Sequence, residues 1–222
     1  MNRVRPLPGE SVLVCGAAGQ IEILVDMPAA VGGVALVCHP HPLYGGANTN
    51  KVVHTLSRVF RELGYVAVRP NFRGVGKSDG THDHGEGETE DMLAVLAWMR
   101  ARWGDLPLVL GGFSFGAYVQ IRLANRLAAD GQSPRQLVLV GMAAGRAGSA
   151  RQYETPVVPD GIPTLIIHGE TDDTVPLTNV FDWARPQELP VIVLPGADHF
   201  FHGRLHLIRD LVARNVVPGG VG

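Results

Sequence analysis

The amino-acid sequence predicts a three-layer α/β fold, in which a mostly parallel sheet of about eight strands begins with an antiparallel pair. Short apolar, β-branched runs alternate with longer helical patterns from residue 34 onwards, which is the order found in layered α/β proteins. Several of these runs are apolar on both faces, as in strands that helices cover on each side. The first two runs are joined by the short segment 16–20, which favours a hairpin.

The strands and helices can be assigned in chain order. Short runs rich in Val, Ile and Leu are the strand candidates: residues 11–15, 21–26, 34–38, 65–69, 108–112, 137–141, 164–168 and 191–194. Longer segments with helical spacing of apolar residues are the helix candidates: residues 48–63, 88–102, 115–129, 177–184 and 201–215. In the second helix, Glu88 and Glu90 stand in the first turn, where carboxylates favour the N-terminus.

Two stretches fit neither pattern. Segment 142–163 is rich in Gly, Ala and Arg and contains three prolines. It is expected to be a loop or a short helix, because it is too short for a separate domain. The end of the chain, about residues 216–222, carries three glycines and is expected to fray. Without an internal repeat or a low-complexity linker, residues 1–222 are expected to form one domain.

Composition and charge exclude several classes of protein. Hydrophobic residues make up 45% and charged residues 18% of the chain, which excludes a disordered protein or a coiled coil. The net charge of −2, without a basic block, argues against nucleic acid as the main partner. No apolar run has the length of a membrane span, and no signal-peptide core follows Met1, so we expect a cytoplasmic protein without a membrane partner. Cys15 and Cys38 are expected to be buried free thiols.

Residues 112–116 read Gly-Phe-Ser-Phe-Gly and carry the pattern G-x-S-x-G. The segment follows a strand candidate and opens a helix candidate, as the sharp turn around a nucleophilic serine requires. The turn strains the serine backbone and leaves room only for small residues two positions before and after it. Ser114 would also lie at a helix N-terminus, where backbone N–H groups favour an anion. The alternative interpretation is a glycine-bounded turn in which Ser114 only caps the helix.

A serine hydroxyl is a poor nucleophile, so it needs a histidine base that a carboxylate orients. Acidic residues follow the strand candidate 164–168, where residues 168–176 read His-Gly-Glu-Thr-Asp-Asp-Thr-Val-Pro. A histidine follows the last strand candidate, where residues 196–199 read Gly-Ala-Asp-His. Both segments lie at the carboxyl ends of strands, where open parallel sheets place their sites. Serine, carboxylate and histidine thus come in an order that is known for catalytic triads.

With these motifs in this order, the sequence resembles the α/β-hydrolase superfamily over nearly the whole chain. The pattern His-Gly-x-x-Asp-x-x-Val-Pro implies that Asp172 is the triad acid, with Glu170, Asp173 and Asp198 as competitors. The segment Gly-Ala-Asp-His implies that His199 is the base.

A narrower resemblance is to small bacterial hydrolases related to dienelactone-hydrolase-like enzymes. It rests on residues 39–46, 50–53 and 69–78, which read HPHPLYGG, NKVV and RPNFRGVGKS. Dienelactone hydrolases use a cysteine nucleophile, whereas this chain has Ser114 at that position. The difference favours ordinary ester chemistry over the opening of a lactone ring.

The resemblance also implies an oxyanion hole made of two backbone N–H groups. One belongs to Phe115, directly after the nucleophile, and the other to the loop after the strand candidate 34–38. Pro40 and Pro42 in that loop have no N–H. By position in the superfamily pattern we expect His41 to be the donor, with Leu43 as the alternative. The sequence His-Pro-His-Pro would keep the loop stiff, which suits a preorganised site.

These inferences predict a serine hydrolase that cleaves small-molecule carboxylic esters or thioesters through an acyl-enzyme and needs no metal or organic cofactor. The short segment 142–163 leaves little room for a lid, so we expect an open cleft and small or exposed acyl groups. The residues expected near the cleft are Leu43, Tyr44, Phe115, Tyr118, Met142, Val175, Phe200 and Phe201.

Two other functions fit parts of the same sequence. A non-catalytic protein of the α/β-hydrolase fold would bind a ligand or a partner, although the intact Ser, Asp and His in order speak against it. A metal-dependent hydrolase would use the histidine-rich segments, and its candidate ligands are His39, His41, His82, Asp83, His84, His168 and His199. Such a site needs three or four ligands that converge at bonding distance.

Overall fold

The computed structural model of the protein describes residues 9–148 and 151–220, and its elements follow the predicted order. The strands are β1 (Glu10–Gly16), β2 (Gly19–Asp26), β3 (Gly33–Cys38), β4 (Tyr65–Pro70), β5 (Leu108–Phe113), β6 (Gln136–Val140), β7 (Gly145–Ala147), β8 (Arg151–Tyr153), β9 (Thr164–Gly169) and β10 (Val191–Leu194). The helices are α1 (Lys51–Glu62), α2 (Glu86–Trp103), α3 (Phe115–Ala129), α4 (Leu177–Ala184) and α5 (Leu205–Asn215). Each predicted strand is present, with boundaries close to the predicted ones.

Eight strands form one sheet in the order β1-β2-β4-β3-β5-β6-β9-β10. β1 pairs antiparallel with β2, and β2 pairs antiparallel with β4. The remaining pairs, from β4 across to β10, are parallel. The predicted three-layer fold with its antiparallel start is therefore confirmed. The parallel pairing brings the carboxyl ends of β5, β9 and β10 to the same edge of the sheet, where a site is expected.

Two hydrophobic cores cover the two faces of the sheet. In β3, Val34 and Leu36 face the core that includes α2 and α3, whereas Ala35 and Val37 face the core that includes α1 and α5. All residues of this central strand are buried, which explains why its sequence shows no alternation of polar and apolar residues. Within the part of the chain that the structure describes, no helix has the length and apolar composition needed to cross a bilayer.

Two helices begin later than predicted, each for a local reason. The cap of α1 is Asn50, whose Oδ1 accepts the N–H of Val52 at 2.9 Å and of Val53 at 3.5 Å. The predicted start of α5 at residue 201 is wrong because Phe201 has a φ of 54°, which a right-handed helix does not allow.

Segment 142–163 is neither a plain loop nor a helix. It contains a small antiparallel hairpin of β7 and β8. Asn179 on α4 holds this hairpin, because its Nδ2 donates to the carbonyl oxygens of Ala144 at 3.1 Å and of Arg146 at 2.8 Å. Among the described residues of the segment there is no helix, so no helical lid is inserted at this point.

The expectation of a frayed C-terminal tail is wrong for residues 216–220. The N–H of Gly219 donates to the carbonyl oxygen of Leu63 at 2.7 Å, and the N–H of Gly220 donates to that of Gly32 at 2.9 Å. A Cβ on Gly32 would collide with the backbone of Gly219, so glycine is needed for this close approach. Residues 221–222 lie outside the described part of the chain.

The two cysteines differ in exposure. Cys38 is buried in the central strand β3, as expected. Cys15 is exposed, which contradicts the expectation of two buried thiols, because its side chain points to the face of β1 opposite the buried Val14.

Candidate active site

Ser114 stands at a sharp turn between β5 and α3. Its backbone has a φ of 56° and a ψ of −119°, a conformation that is strained for a residue with a side chain. A Cβ on Gly112 would lie 2.5 Å from the backbone N of Ala117, and a Cβ on Gly116 would collide with the carbonyl oxygen of Cys38. The strand, the turn and the helix that the G-x-S-x-G pattern requires are therefore all present.

A chain of hydrogen bonds joins Ser114, His199 and Asp172. Ser114 Oγ lies 3.0 Å from His199 Nε2, and His199 Nδ1 lies 2.7 Å from Asp172 Oδ2. Because a carboxylate only accepts, the Nδ1–H of a neutral His199 donates to Asp172, and Nε2 accepts the hydroxyl proton of Ser114. The serine hydroxyl does not cap α3, which removes the support for the alternative interpretation of the turn. All three residues are buried.

Four N–H groups surround the Asp172 carboxylate. Oδ1 accepts the backbone N–H of Thr174 at 2.9 Å and of Val175 at 2.7 Å. Oδ2 lies 3.3 Å from His168 Nε2, in addition to its bond with His199. His168 Nε2 also lies 2.9 Å from the carbonyl oxygen of Val175, so this nitrogen carries the proton. Burial lowers the pKa of His168, which keeps the ring neutral at physiological pH.

The three competing carboxylates are engaged elsewhere. Glu170 accepts the backbone N–H of Gly196 at 2.8 Å, and Asp198 pairs with His202 at 2.6 Å on the surface. Asp173 is exposed. In the described part of the chain, none of the three makes a hydrogen bond to the histidine of the site. The arrangement therefore favours Asp172 as the orienting acid.

The two expected oxyanion donors have free backbone N–H groups. Phe115 begins α3, so its N–H has no acceptor within the helix. Within residues 9–148 and 151–220, no protein group accepts the N–H of Phe115 or of His41. The N–H of Leu43 is engaged, because it donates to His41 Nδ1 at 3.3 Å. Of the two candidates in the loop, the structure favours His41.

The loop that carries His41 is held in place by His39. The Nδ1–H of His39 donates to the carbonyl oxygen of Pro40 at 2.6 Å, and Nε2 accepts the N–H of Phe72 at 2.9 Å. Burial lowers the pKa of His39 to about 3, so its ring is neutral and keeps both bonds at physiological pH. A Cβ on Gly46 would collide with the carbonyl oxygen of Pro40, because the loop turns back tightly on itself.

Two adjoining cavities open at this edge of the sheet. The nucleophile cavity has a volume of about 190 Å³, and its walls include Ser114, His199, Phe200, His41, Tyr44 and Arg151. The side cavity has a volume of about 280 Å³, and its walls include Tyr118, Tyr153, His82, His41, Tyr44 and Arg151. Because His41, Tyr44 and Arg151 belong to both, one ligand can extend from the first cavity into the second.

The predicted cleft residues fall into two groups. Tyr44 and Phe200 line the nucleophile cavity, and Leu43, Phe115 and Tyr118 line the side cavity together with Tyr44. These side chains form the apolar part of the walls.

The prediction is wrong for Met142, Val175 and Phe201, which are buried in the cores. Val175 uses its N–H and C=O to hold Asp172 and His168, and its side chain packs in the core. The place of a residue in a loop beside the site was therefore not enough to predict the direction of its side chain.

Sequence reasoning also missed two residues of the walls, Arg151 and Tyr153. Both lie on β8, in the segment 142–163 that was expected to be a loop or a short helix. The one available signal was the presence of arginines in a stretch that is otherwise rich in Gly and Ala.

The histidine-rich segments do not converge as a metal site. His82 Nδ1 lies 2.8 Å from Glu88 Oε1, and both ring nitrogens of His39 are engaged in the loop described above. Across the residues that the structure describes, no group of three or more His, Cys, Asp or Glu side chains is placed to hold an ion. The metal-dependent alternative therefore lacks the ligand geometry that it requires.

A mostly parallel sheet with a strained serine at a strand-to-helix turn, beside a histidine and an aspartate, defines the class of α/β hydrolases. Residues 20–130 match the model of the X-Pro dipeptidyl-peptidase (S15) family. The chain is similar to the structure of an α/β serine hydrolase homologue from Coxiella burnetii, with 40% identity, a TM-score of 0.82 and coverage of 95% of this chain and 98% of that one. It is also similar to an α/β serine hydrolase without a lid from Xanthomonas campestris, with 36% identity, a TM-score of 0.84 and coverage of 97% and 96%.

Two curated proteins are also similar to the chain in sequence. An uncharacterized protein of Rickettsia prowazekii is 34% identical over 178 residues, which are 76% of this chain and 71% of that protein. The lysophosphatidylserine lipase ABHD12 of Rattus norvegicus is 31% identical over 171 residues, which are 62% of this chain but 43% of the lipase. The chain therefore belongs to the α/β-hydrolase superfamily, as a serine hydrolase homologue without a lid that the S15 family model matches.

Proposed function

We propose that this protein is a serine hydrolase that cleaves carboxylic esters or thioesters of small or exposed acyl groups. The observation that carries the proposal is the continuous hydrogen-bond chain from Ser114 through His199 to Asp172, which opens on the nucleophile cavity. A relative that is named a lipase supports ester chemistry. The proposed enzyme is one domain that acts without a metal or an organic cofactor, because all required groups are protein groups.

In the first step, Ser114 Oγ attacks the acyl carbon of the substrate while its proton passes to His199 Nε2. Asp172 accepts the hydrogen bond from Nδ1–H and stabilises the imidazolium that forms. The carbonyl oxygen becomes an oxyanion, which accepts the N–H groups of Phe115 and His41. Each such donor contributes about 3 kcal/mol to stabilisation of the transition state.

The tetrahedral intermediate then collapses. The bond between the acyl carbon and the alcohol oxygen or thiol sulfur breaks, and His199 returns its proton to this leaving group. A water molecule next gives a proton to His199 and attacks the acyl-enzyme ester. The acid leaves, and the proton on His199 returns to Ser114 Oγ, which restores the starting state.

The shape of the site supports small or exposed acyl groups. The nucleophile cavity has a volume of only about 190 Å³. Tyr44 and Phe200 at its rim are 66% and 49% exposed. In the described part of segment 142–163, no helix covers Ser114, so an acyl chain too long for the two cavities would extend into solvent rather than under a lid.

The proposal is tested with a fluorophosphonate probe and a chain-length series of acyl esters and acyl thioesters. We expect wild-type protein to be labelled and to hydrolyse the shortest acyl groups fastest. Ser114→Ala should lose labelling and at least about 10⁴-fold in kcat, because the nucleophile is absent. The matched control, Ser11→Ala, changes an exposed serine of β1 and should behave as wild type.

Each competing function gives a different outcome. A folded wild-type protein that the probe does not label would indicate a non-catalytic binding protein. Activity that survives in Ser114→Ala but is lost with a chelator would indicate a metal-dependent hydrolase. Cleavage of an Xaa-Pro anilide in preference to every ester would indicate the peptidase activity for which the matching family model is named.

A further inference from the structure

The side cavity carries many hydrogen-bond donors and no acid in its walls. We propose that it is a subsite for a carboxylate at the far end of the acyl group, and that Arg151 is the cation that recognises it. This inference rests on the proposed hydrolase function, because it names the class of substrate for that site: esters of dicarboxylic acids that keep one carboxylate free.

Arg151 is placed to bind an anion. It lines both cavities, and its guanidinium lies over the ring of Tyr44, 4.3 Å from the ring centroid. A contact with a ring face does not use the N–H donors of a guanidinium, which can form a bidentate pair with a carboxylate. Across residues 9–148 and 151–220, no carboxylate lies within ion-pair distance of Arg151. Other arginines near the site, such as Arg73 and Arg122, are paired with acids.

The hydroxyl of Tyr153 is a second group that can bind an anion in the side cavity. Tyr153 is 9% exposed and lines the side cavity. Its hydroxyl lies beside the Arg151 guanidinium, which can only donate, and no described residue accepts the proton of the hydroxyl. A carboxylate bound beside Arg151 would accept this proton in a hydrogen bond.

Three imidazole rings in the walls of the side cavity add polar groups that can bond to an anion. The ring of His82 lies 4.5 Å from that of His41 and 4.9 Å from that of His84. Burial lowers the pKa of His41 to about 4, and the neighbours His82, Arg151 and His84 contribute to this shift. His41 Nδ1 accepts the N–H of Leu43, so the proton of the neutral ring is on Nε2, where it can serve as a further donor.

The Glu88 carboxylate lies beside His82 but does not line the side cavity. Glu88 is completely buried outside the cavity wall, and its oxygens are used by His82 Nδ1 and by the N–H groups of Asp83 and Gly85. An anion in the side cavity would therefore meet hydrogen-bond donors and the Arg151 cation, and the apolar faces of Phe115 and Tyr118 would pack against the methylenes of its chain.

The chemistry at the nucleophile cavity indicates which part of the substrate extends into the side cavity. His199 gives its proton to the leaving group, so the alcohol or thiol must lie against His199. His199 lines the nucleophile cavity but not the side cavity. The part of the substrate that extends past His41 and Arg151 is therefore the acyl chain, and the charge that Arg151 meets belongs to the acid and not to the alcohol.

The test compares monoesters of five- to seven-carbon dicarboxylic acids with esters of the same length that end in a carboxamide. The carboxamide removes the charge and keeps the shape. We expect wild-type kcat/KM to favour the carboxylate, and Arg151→Gln to reduce this preference about tenfold. Tyr153→Phe should reduce it less, and Arg151→Lys should retain part of it. The matched control, Arg185→Gln, changes an exposed arginine far from the site and should keep the wild-type preference.

A binding measurement distinguishes failure of this inference from failure of the proposed function. Calorimetry on Ser114→Ala should show the dicarboxylic monoester binding about tenfold more tightly than in Ser114→Ala/Arg151→Gln, even if wild type hydrolyses no ester. Equal preference in wild type and Arg151→Gln, with equal binding, would overturn the inference while ester hydrolysis stands. Selectivity that arises only when the charge is on the alcohol would overturn the assignment to the acyl chain.

Discussion

The Asp172 carboxylate shows how strongly a few neighbours can determine the role of one side chain. Its Oδ1 lies between two backbone N–H donors, so only Oδ2 is directed at His199. An asparagine in this place would keep its oxygen against the two donors and would turn its NH₂ towards His199 Nδ1. His199 would then carry its proton on Nε2 and would be unable to accept one from Ser114.

We therefore expect Asp172→Asn to lower kcat on a short acyl ester by about 10⁴-fold without loss of the fold. Steady-state kinetics measure the loss, and circular dichroism with thermal unfolding checks the fold. The neighbouring variant Asp173→Asn changes an exposed acid and should retain wild-type turnover. Turnover of Asp172→Asn within tenfold of wild type would show that another group orients the histidine.

At the residue scale, sequence motifs predicted the residues that stand in a turn or loop directly after a strand. Ser114, Asp172 and His199 were chosen from three separate segments, and the structure brings them into one hydrogen-bond chain. Motifs failed for Val175 because the direction of its side chain depends on how its own backbone bonds nearby groups. They also failed for Arg151, which reaches the site only through a hairpin that the sequence did not indicate.

At the scale of elements, the loop between β3 and α1 depends on a capped helix start. Asn50 ends this loop, and its Oδ1 accepts two backbone N–H groups of the first turn of α1. These donors have no acceptor within the helix. The cap therefore stabilises both the helix and the end of the loop that carries His41.

Asn50→Ala should lower the free energy of unfolding by about 1 kcal/mol, because the two N–H groups lose their acceptor. Urea unfolding at pH 7 measures the change, and is preferred to activity because Asn50 also lines the nucleophile cavity. Asn50→Ser is the matched variant, since its hydroxyl can cap the helix and should restore most of the stability. Equal stability of the alanine and serine variants would contradict a capping role.

Among the elements, β7 and β8 could not be predicted from patterns of hydrophobicity. The strands of the main sheet were predicted because each is a run of four to eight residues with an apolar face. β7 and β8 have three residues each, which is too short for any period to show. Their hairpin forms because Asn179 and the packing of α4 hold it, and these contacts lie about 30 residues further along the chain.

At the scale of the whole molecule, buried imidazoles tie stability to pH. Burial lowers the pKa of His39 to about 3 and of His41 to about 4, whereas histidines of the unfolded chain titrate near 6.5. Between these values the unfolded state binds protons that the folded state does not bind. Stability is therefore complete above about pH 6.5 and falls as the pH is lowered towards 4.

For His39 alone, this difference in pKa between the folded and unfolded states lowers the free energy of unfolding by about 2 kcal/mol from pH 7 to pH 5. His39→Gln should therefore show a smaller drop in the free energy of unfolding between these two pH values, by about that amount. Urea titrations of each protein at both values give the drop. His206→Gln is the control, because His206 is exposed on α5 and should leave the drop unchanged. An unchanged drop in His39→Gln would mean that His39 is protonated in the folded protein.

The backbone contact of Gly219 and Gly220 with Leu63 and Gly32 has a practical consequence for orientation. It lies where β3 and β4 begin, whereas Ser114 follows the end of β5, and these three strands run parallel. A six-residue strand spans about 20 Å, so the contact and the cleft are separated by the height of the sheet. A carrier surface coupled beyond Gly220 would thus hold the molecule by its base, and immobilised protein would present its open cleft to the flowing solution.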